Sequence, residues 1–240
     1  MRVTAAIIVI VATLVTAASA FDRTYANYGK FLAAHVCKGG VSYATVKSDT
    51  LFARLKTDFA GLSRSGFDSL PENDRIAYLV NAYNFWTIVL IVDNLPLKKG
   101  IRDISSPWGK KSVRLFGEQV SLDHIEHDLL RAQFGEPRVH FALVCASKSC
   151  PVLQATPFAG RTLDAQLTVA ARQFLTDPSR NQIAASATTI SRIFDWYGGD
   201  FDKKYGGYAA FITQVTGTQI AGRVRFLDYD WSLNAVVGCP

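Results

Sequence analysis

Apolar residues recur at three- and four-residue steps along the first half of this chain. Tyr25, Tyr28, Phe31, Leu32 and His35 share one face of a helix predicted over Asp22 to Val36, which Gly39-Gly40 stops. Leu51, Leu55 and Phe59 recur every four residues and predict a second helix over Lys47 to Leu62. A third has the fullest set of start signals. Ser69 is placed to cap it, Pro71 sits near its first position, and Glu72 and Asp74 suit its positive end. It runs through Tyr78, Asn81, Asn84 and Ile88 to about Asp93, before Pro96. Being apolar nearly all round, it belongs at the centre of the core.

The second half mixes shorter elements. Ser112–Phe116, Gly117 and Glu118–Ser121 read as a small hairpin. Ser121 then caps a helix carrying Ile125, Glu126, His127, Leu129, Leu130 and Arg131. After the turn at Gly135-Glu136-Pro137, the apolar run from His140 to Cys145 reads as a strand that opens into a polar loop closed by Cys150-Pro151. Thr162 to Thr176 is an amphipathic helix. Ile183–Ala185 and Thr188–Phe194 read as short strands, followed by a helix near Tyr208–Val215 and a last strand, Arg223–Leu227. Helices and strands follow no regular βαβ alternation, so the expected class is α+β: several helices packed on a small mixed or antiparallel sheet.

The N-terminal residues follow a different pattern. Arg2, the apolar run Ala5–Ala17 and Ala18-Ser19-Ala20 have the form of a signal peptide with its cleavage site, leaving Phe21 as the new N-terminus. The expectation is therefore a leader over residues 1–20, a single domain over 21–240, and export to the periplasm or medium with no transmembrane segment after cleavage. The formal net charge is +6. Part of the excess is concentrated in Lys98, Lys99, Arg102, Lys110, Lys111 and Arg114, opposed only by Asp103. Such a stretch suits an anionic peptide or cell-envelope component, or is simply a solvated face. It lacks the interleaved aromatics of a nucleic-acid surface.

Cys37, Cys145, Cys150 and Cys239 allow three disulfide pairings. Cys37 with Cys239 would tie the ends of the domain, and Cys145 with Cys150 would close the central loop. The C-x4-C spacing is not that of a zinc ribbon or a thioredoxin-like centre. No glycine-rich phosphate loop or G-x-S-x-G elbow is present, so no cofactor or metal is implied. What remains is a thiol with two imidazoles and two amides. An imidazole lowers a thiol pKa and then protonates the leaving group, and an amide or carboxylate fixes the ring. Asn81 and Asn84 share a helix face, as do His127 and Arg131. In a regular strand His140 and Cys145, five apart, point to opposite faces. That favours His127 as partner to the thiol and leaves His140 for a buried hydrogen bond to Asn81 or Asn84. The plainer alternative treats the cysteines as core or disulfide residues and the polar groups as structural.

Asn81-Ala82-Tyr83-Asn84, Ser121–His127, His140–Cys145, Ser149-Cys150-Pro151 and Phe226–Asn234 together resemble the DUF547 family, over most of the chain from about Val41 onward. The resemblance implies a bacterial envelope or plant-type domain whose motif carries Asn81, Asn84, His127, His140 and Cys145. In plant-like members the position of Cys150 is often serine, which favours Cys145 as the functional thiol. The expected site is papain- or transglutaminase-like. Cys145 attacks an amide or ester carbonyl, His127 or His140 serves as base and acid, Asn84 or Asn81 orients the ring, and backbone donors in Ala146–Ser149 hold the oxyanion. The alternative is a non-catalytic, disulfide-stabilised binding module of the envelope, and a third possibility is a redox-sensing dithiol.

Overall fold

The computed structural model describes residues 21–184, 187–220 and 223–239. The expected leader and Ala185, the last residue of one expected strand, lie outside the described residues. Helix α1 (Ala26–His35) leads into a short hairpin, β1 (Val36–Cys37) with β2 (Gly40–Val41), and then into α2 (Tyr43–Val46). Asp49 caps α3 (Thr50–Ala60) by accepting from Leu51 N at 2.7 Å, and Ser63 caps α4 (Arg64–Asp68) through Gly66 N at 3.1 Å. Helix α5 (Glu72–Asp93) begins directly after Pro71, with Glu72 and Asp74 in its first turn. Ser69 does not cap it, because its hydroxyl donates back to Gly66 O.

The predicted hairpin forms from β3 (Val113–Leu115) and β4 (Glu118–Val120). Ser121 Oγ accepts from His124 N at 3.0 Å and starts a helix whose His124–Arg131 turns are π-helical, continuing into α6 (Ala132–Phe134). Then come a 3-10 helix (Pro137–Phe141), α7 (Leu163–Leu175), β5 (Thr188–Ile190), α8 (Ile193–Trp196), α9 (Gly198–Tyr205), α10 (Tyr208–Thr216) and β6 (Val224–Phe226).

The class is α+β, with one revision. Among the described residues the strands make three separate two-stranded ladders, β1–β2 and β3–β4 antiparallel and β5–β6 parallel, instead of one small sheet. A second revision matters more for the site. His140–Cys145 is not a strand: Pro137 occupies the first position of the 3-10 helix and Glu136 accepts from Arg138 N at 3.0 Å, so a helical turn forms through Phe141. The alternation argument that separated His140 from Cys145 therefore does not apply. Likewise only Thr188–Ile190 of the strand expected to reach Phe194 is extended, and Ile193 starts α8.

Helix α5 is buried on almost every side. It is long and apolar enough to cross a membrane by composition, yet 94% of that stretch is enclosed by the rest of the molecule. Tyr28, Phe31 and Phe59 pack against its Phe85, with centroid spacings of 4.9–6.1 Å. A second apolar cluster gathers Phe141, Phe174, Phe194, Phe201 and Phe211 between the 3-10 helix and α7 to α10. The segment after β6 then runs back across the molecule. Lys148 N and Ser149 N donate to Ser232 O and Asp230 O, Asn234 N donates to Ala146 O, and Val41 N donates to Asn234 O. This strip ties the N-terminal hairpin to the loop that follows Cys145.

Candidate functional site

The two asparagines of α5 are backbone clamps. Asn84 donates to Ala142 O and accepts from Val144 N, both at 2.9 Å. Asn81 does the same for Phe158, donating to its O at 2.8 Å and accepting from its N at 3.0 Å. A buried extended segment has no ladder partner of its own, and a side-chain amide mimics one. Asn84 thus fixes the chain immediately before Cys145. Neither amide orients an imidazole, so that expected role is corrected: both ends of each amide are already bonded to backbone.

Cys145 is joined to Cys150, and Cys37 to Cys239, with Cα atoms 6.1 and 5.7 Å apart. Cys145 is partly exposed whereas Cys150 is buried. Tyr229 places its hydroxyl 3.4 Å from Cys145 Sγ and 3.3 Å from Cys150 Sγ, and Ser147 Oγ lies 3.1 Å from Cys145 Sγ. Burial pushes the Tyr229 phenol up to about 12, against a lowering hydrogen bond with Ser147. Ala146, directly after Cys145, has φ +61°, a left-handed conformation that costs an alanine on the order of 1 kcal/mol and turns the chain into the loop. The loop is pinned further by Arg180, which donates to Cys150 O at 2.8 Å and Lys148 O at 2.9 Å. Because Lys148 N and Ser149 N are bonded to the strip after β6, the candidate oxyanion donors narrow to Ala146 N and Ser147 N.

The imidazoles have partners that sequence spacing did not indicate. His140 Nε2 lies 2.8 Å from Asp200 Oδ2, and its ring stacks on Tyr197 at 4.0 Å between centroids. Asp200, in the first turn of α9, also accepts from Arg131 Nε at 2.6 Å and Nη2 at 3.1 Å. The same guanidinium donates from Nη1 to His127 Nδ1 at 3.0 Å. His127, Arg131, Asp200 and His140 therefore form one continuous chain. The His140 and Arg131 hydrogen bonds hold the Asp200 carboxyl far below the usual carboxylate range, outweighing its partial burial. His140 is bonded to neither asparagine. Among the described residues, neither imidazole is hydrogen-bonded to Cys145 Sγ.

These groups meet in one cavity of about 320 Å³. Cys145, Cys150, His127, His140, Asp123, Glu126 and Tyr229 reach it, and tryptophans 108, 196 and 231 form its outer walls. Glu126 is 7% exposed and lies 4.0 Å from His140 Nδ1. Burial, reinforced by the Glu126 charge, pushes the Tyr83 and Tyr197 phenols up, and burial likewise raises Asp123 against a lowering contribution from His127. Among the described residues no group of three His, Cys, Asp or Glu side chains is placed to hold a metal ion. The basic stretch lies outside the cavity, with Lys98, Lys99, Arg102, Lys110, Lys111 and Arg114 all exposed.

Fold and site together define a helix-rich α+β domain with a cysteine pair and two imidazoles around one aromatic cavity. Residues 67–175 match the family model described as protein of unknown function, DUF547, which supports the resemblance that the motifs carry. The match is narrower than the motif resemblance. It contains Asn81, Asn84, His127, His140 and the cysteine pair, but not Asp200 or the walls made by Trp196, Tyr197, Tyr229 and Trp231. No curated protein and no solved structure matches the chain.

Proposed function

We propose that this chain is an exported, cysteine-dependent amide or ester hydrolase or acyltransferase acting on peptide or envelope material, with the Cys145–Cys150 bond as its resting state. The observation that carries the reading is the His140 Nε2–Asp200 bond of 2.8 Å in the same cavity that Cys145 lines. A carboxylate can only accept, so Asp200 holds the proton on Nε2 and leaves His140 Nδ1 as the basic nitrogen. His127 has the opposite arrangement: Arg131 donates to its Nδ1, which leaves Nε2 as a donor. The bond pattern thus favours His140 as base and gives His127 a proton-donating part, the reverse of the order that spacing suggested.

A thiol reductant converts the Cys145–Cys150 disulfide to two thiols and is itself oxidised to a disulfide. His140 Nδ1 then takes the Cys145 proton, the thiolate attacks the carbonyl carbon, and the leaving amine or alcohol departs with the proton from the imidazolium. Water or an acceptor nucleophile cleaves the thioester and restores the thiol. Export is supported by the leader-like N-terminus and by two cysteine pairs within bonding distance. An anionic peptide or envelope component is the proposed partner of the exposed basic stretch.

The test is acylation of the reduced protein by an activated ester, located by mass spectrometry. The adduct is expected on Cys145, absent from Cys145→Ala, and formed on the order of 10²-fold more slowly in His140→Ala. Undiminished turnover in Cys145→Ala defeats the proposal. The second reading, a non-catalytic binding module, is favoured by the oxidised pair itself and by its pinning through Arg180. It gains if Cys145 stays oxidised in the native exported protein under every reducing condition that leaves the fold intact.

A further inference from the structure

The charged groups facing the cavity have a single sign. Glu126 and Asp123 reach it beside His127 and His140, and among the described residues no lysine or arginine lines it. Two guanidiniums lie behind its walls: Arg131 sits over the Tyr197 ring at 4.9 Å and is held by both oxygens of Asp200, and the exposed Arg102 sits over the Trp231 ring at 5.5 Å. Glu126 is 7% exposed, and among the described residues it pairs with no lysine or arginine. Apart from His140 Nδ1 at 4.0 Å, which is a cation only when protonated, this buried carboxylate has lost its hydration with no fixed positive charge beside it.

The walls around it are aromatic. Trp231 packs on Tyr229, Trp196 and Trp108 at centroid distances of 4.5, 5.8 and 5.5 Å, and Tyr83 and Tyr197 close the inner side. Aromatic faces carry negative electrostatic potential, and a cation among several of them is attracted to each. Anions meet repulsion from Glu126 and Asp123 here, and neutral groups gain only contact. From this conjunction we infer that the cavity takes its substrate through an ammonium group seated between Glu126 and the aromatic walls. The inference rests on the same cavity as the function proposed above, but not on its thiol step. It also assigns opposite charge preferences to two surfaces that adjoin at Trp231, where Arg102 stacks: the cavity lining selects a cation, while the basic stretch outside suits an anion. Two sources share this chemistry, a primary amine of the lysine or diamine kind and a quaternary headgroup of the choline kind.

The oxidised wild-type protein is titrated with n-butylammonium, with choline, and with the neutral counterparts 1-butanol and 3,3-dimethyl-1-butanol. Tryptophan fluorescence is the readout, since Trp108, Trp196 and Trp231 line the cavity. At least one cation is expected to bind about tenfold or more tightly than its neutral counterpart, and whichever does so names the source. Glu126→Gln is expected to abolish that preference while leaving the weak binding of the alcohols unchanged. Trp196→Ala removes a ring that is 44% exposed, so the core is untouched, and it is expected to weaken cation binding several-fold. Equal affinity for cations and alcohols, no cation binding, or a preference that survives Glu126→Gln overturns the inference. Because the oxidised protein cannot form a thioester, these results are independent of whether Cys145 is a nucleophile. Loss of the thiol mechanism with retained cation preference leaves a binding module, and the converse leaves an enzyme of different substrate class.

Discussion

Asn84 shows how one side chain on a rigid helix can set the chain that leads into a loop. Its amide replaces the ladder partner that the Ala142–Val144 backbone lacks, at 2.9 Å in both directions. Asn84→Ala leaves a buried carbonyl and a buried N–H unpaired, at a cost on the order of 1–3 kcal/mol each. A lowered urea midpoint with an unchanged slope is the expected result in equilibrium unfolding. Asp200 has the complementary role at the imidazoles. Its folded-state pKa is depressed by His140 and Arg131, so its stabilising contribution is complete above the unfolded carboxylate value near pH 4 and disappears as pH falls below it. Asp200→Asn is therefore expected to be less stable than wild type at neutral pH and to lose less on acidification. Chemical denaturation at about pH 7 and pH 3 reads this directly, and equal acid losses in both proteins count against the pairing.

At the scale of elements, the three long helices of the first half, α1, α3 and α5, are legible because their apolar positions repeat with helical period, while the short α2 and α4 carry no such repeat. Helix α5 was placed at the centre for the same reason, and the hairpin and the Ser121 cap follow from turn and capping chemistry. The segment before Cys145 was misread because a short continuous apolar run is compatible with a buried strand or a helical turn alike. The deciding signal was present in Glu136-Pro137, a side-chain acceptor followed by a residue suited to a first helical position. Asp200 was missed for a different reason. It lies 60 residues beyond His140 in a short helix begun by two glycines, and no local pattern reports a pairing made by tertiary packing. The participants of the site were thus largely readable as residue types. Their partners were not: Asn84, expected to orient an imidazole, clamps backbone, and the carboxylate bonded to His140 is Asp200.

At the scale of the whole molecule, the Cys37–Cys239 bond closes a loop spanning 202 residues and anchors the strip that packs on the Cys145 loop. Chain entropy assigns such a closure about 5 kcal/mol. A Cys37→Ser/Cys239→Ser variant is expected to melt well below wild type while keeping the Cys145–Cys150 pair, as measured by calorimetry with thiol counting. Retention of the wild-type melting temperature removes the entropic account. That strip also has a temporal consequence. Tyr229 and Trp231 are translated after every other residue that borders the cavity, so a nascent chain emerging from the ribosome has the Cys145 loop but not its enclosure. The cavity can be completed only after synthesis has passed Trp231, which makes a closed pocket one of the last features a growing polypeptide of this kind acquires.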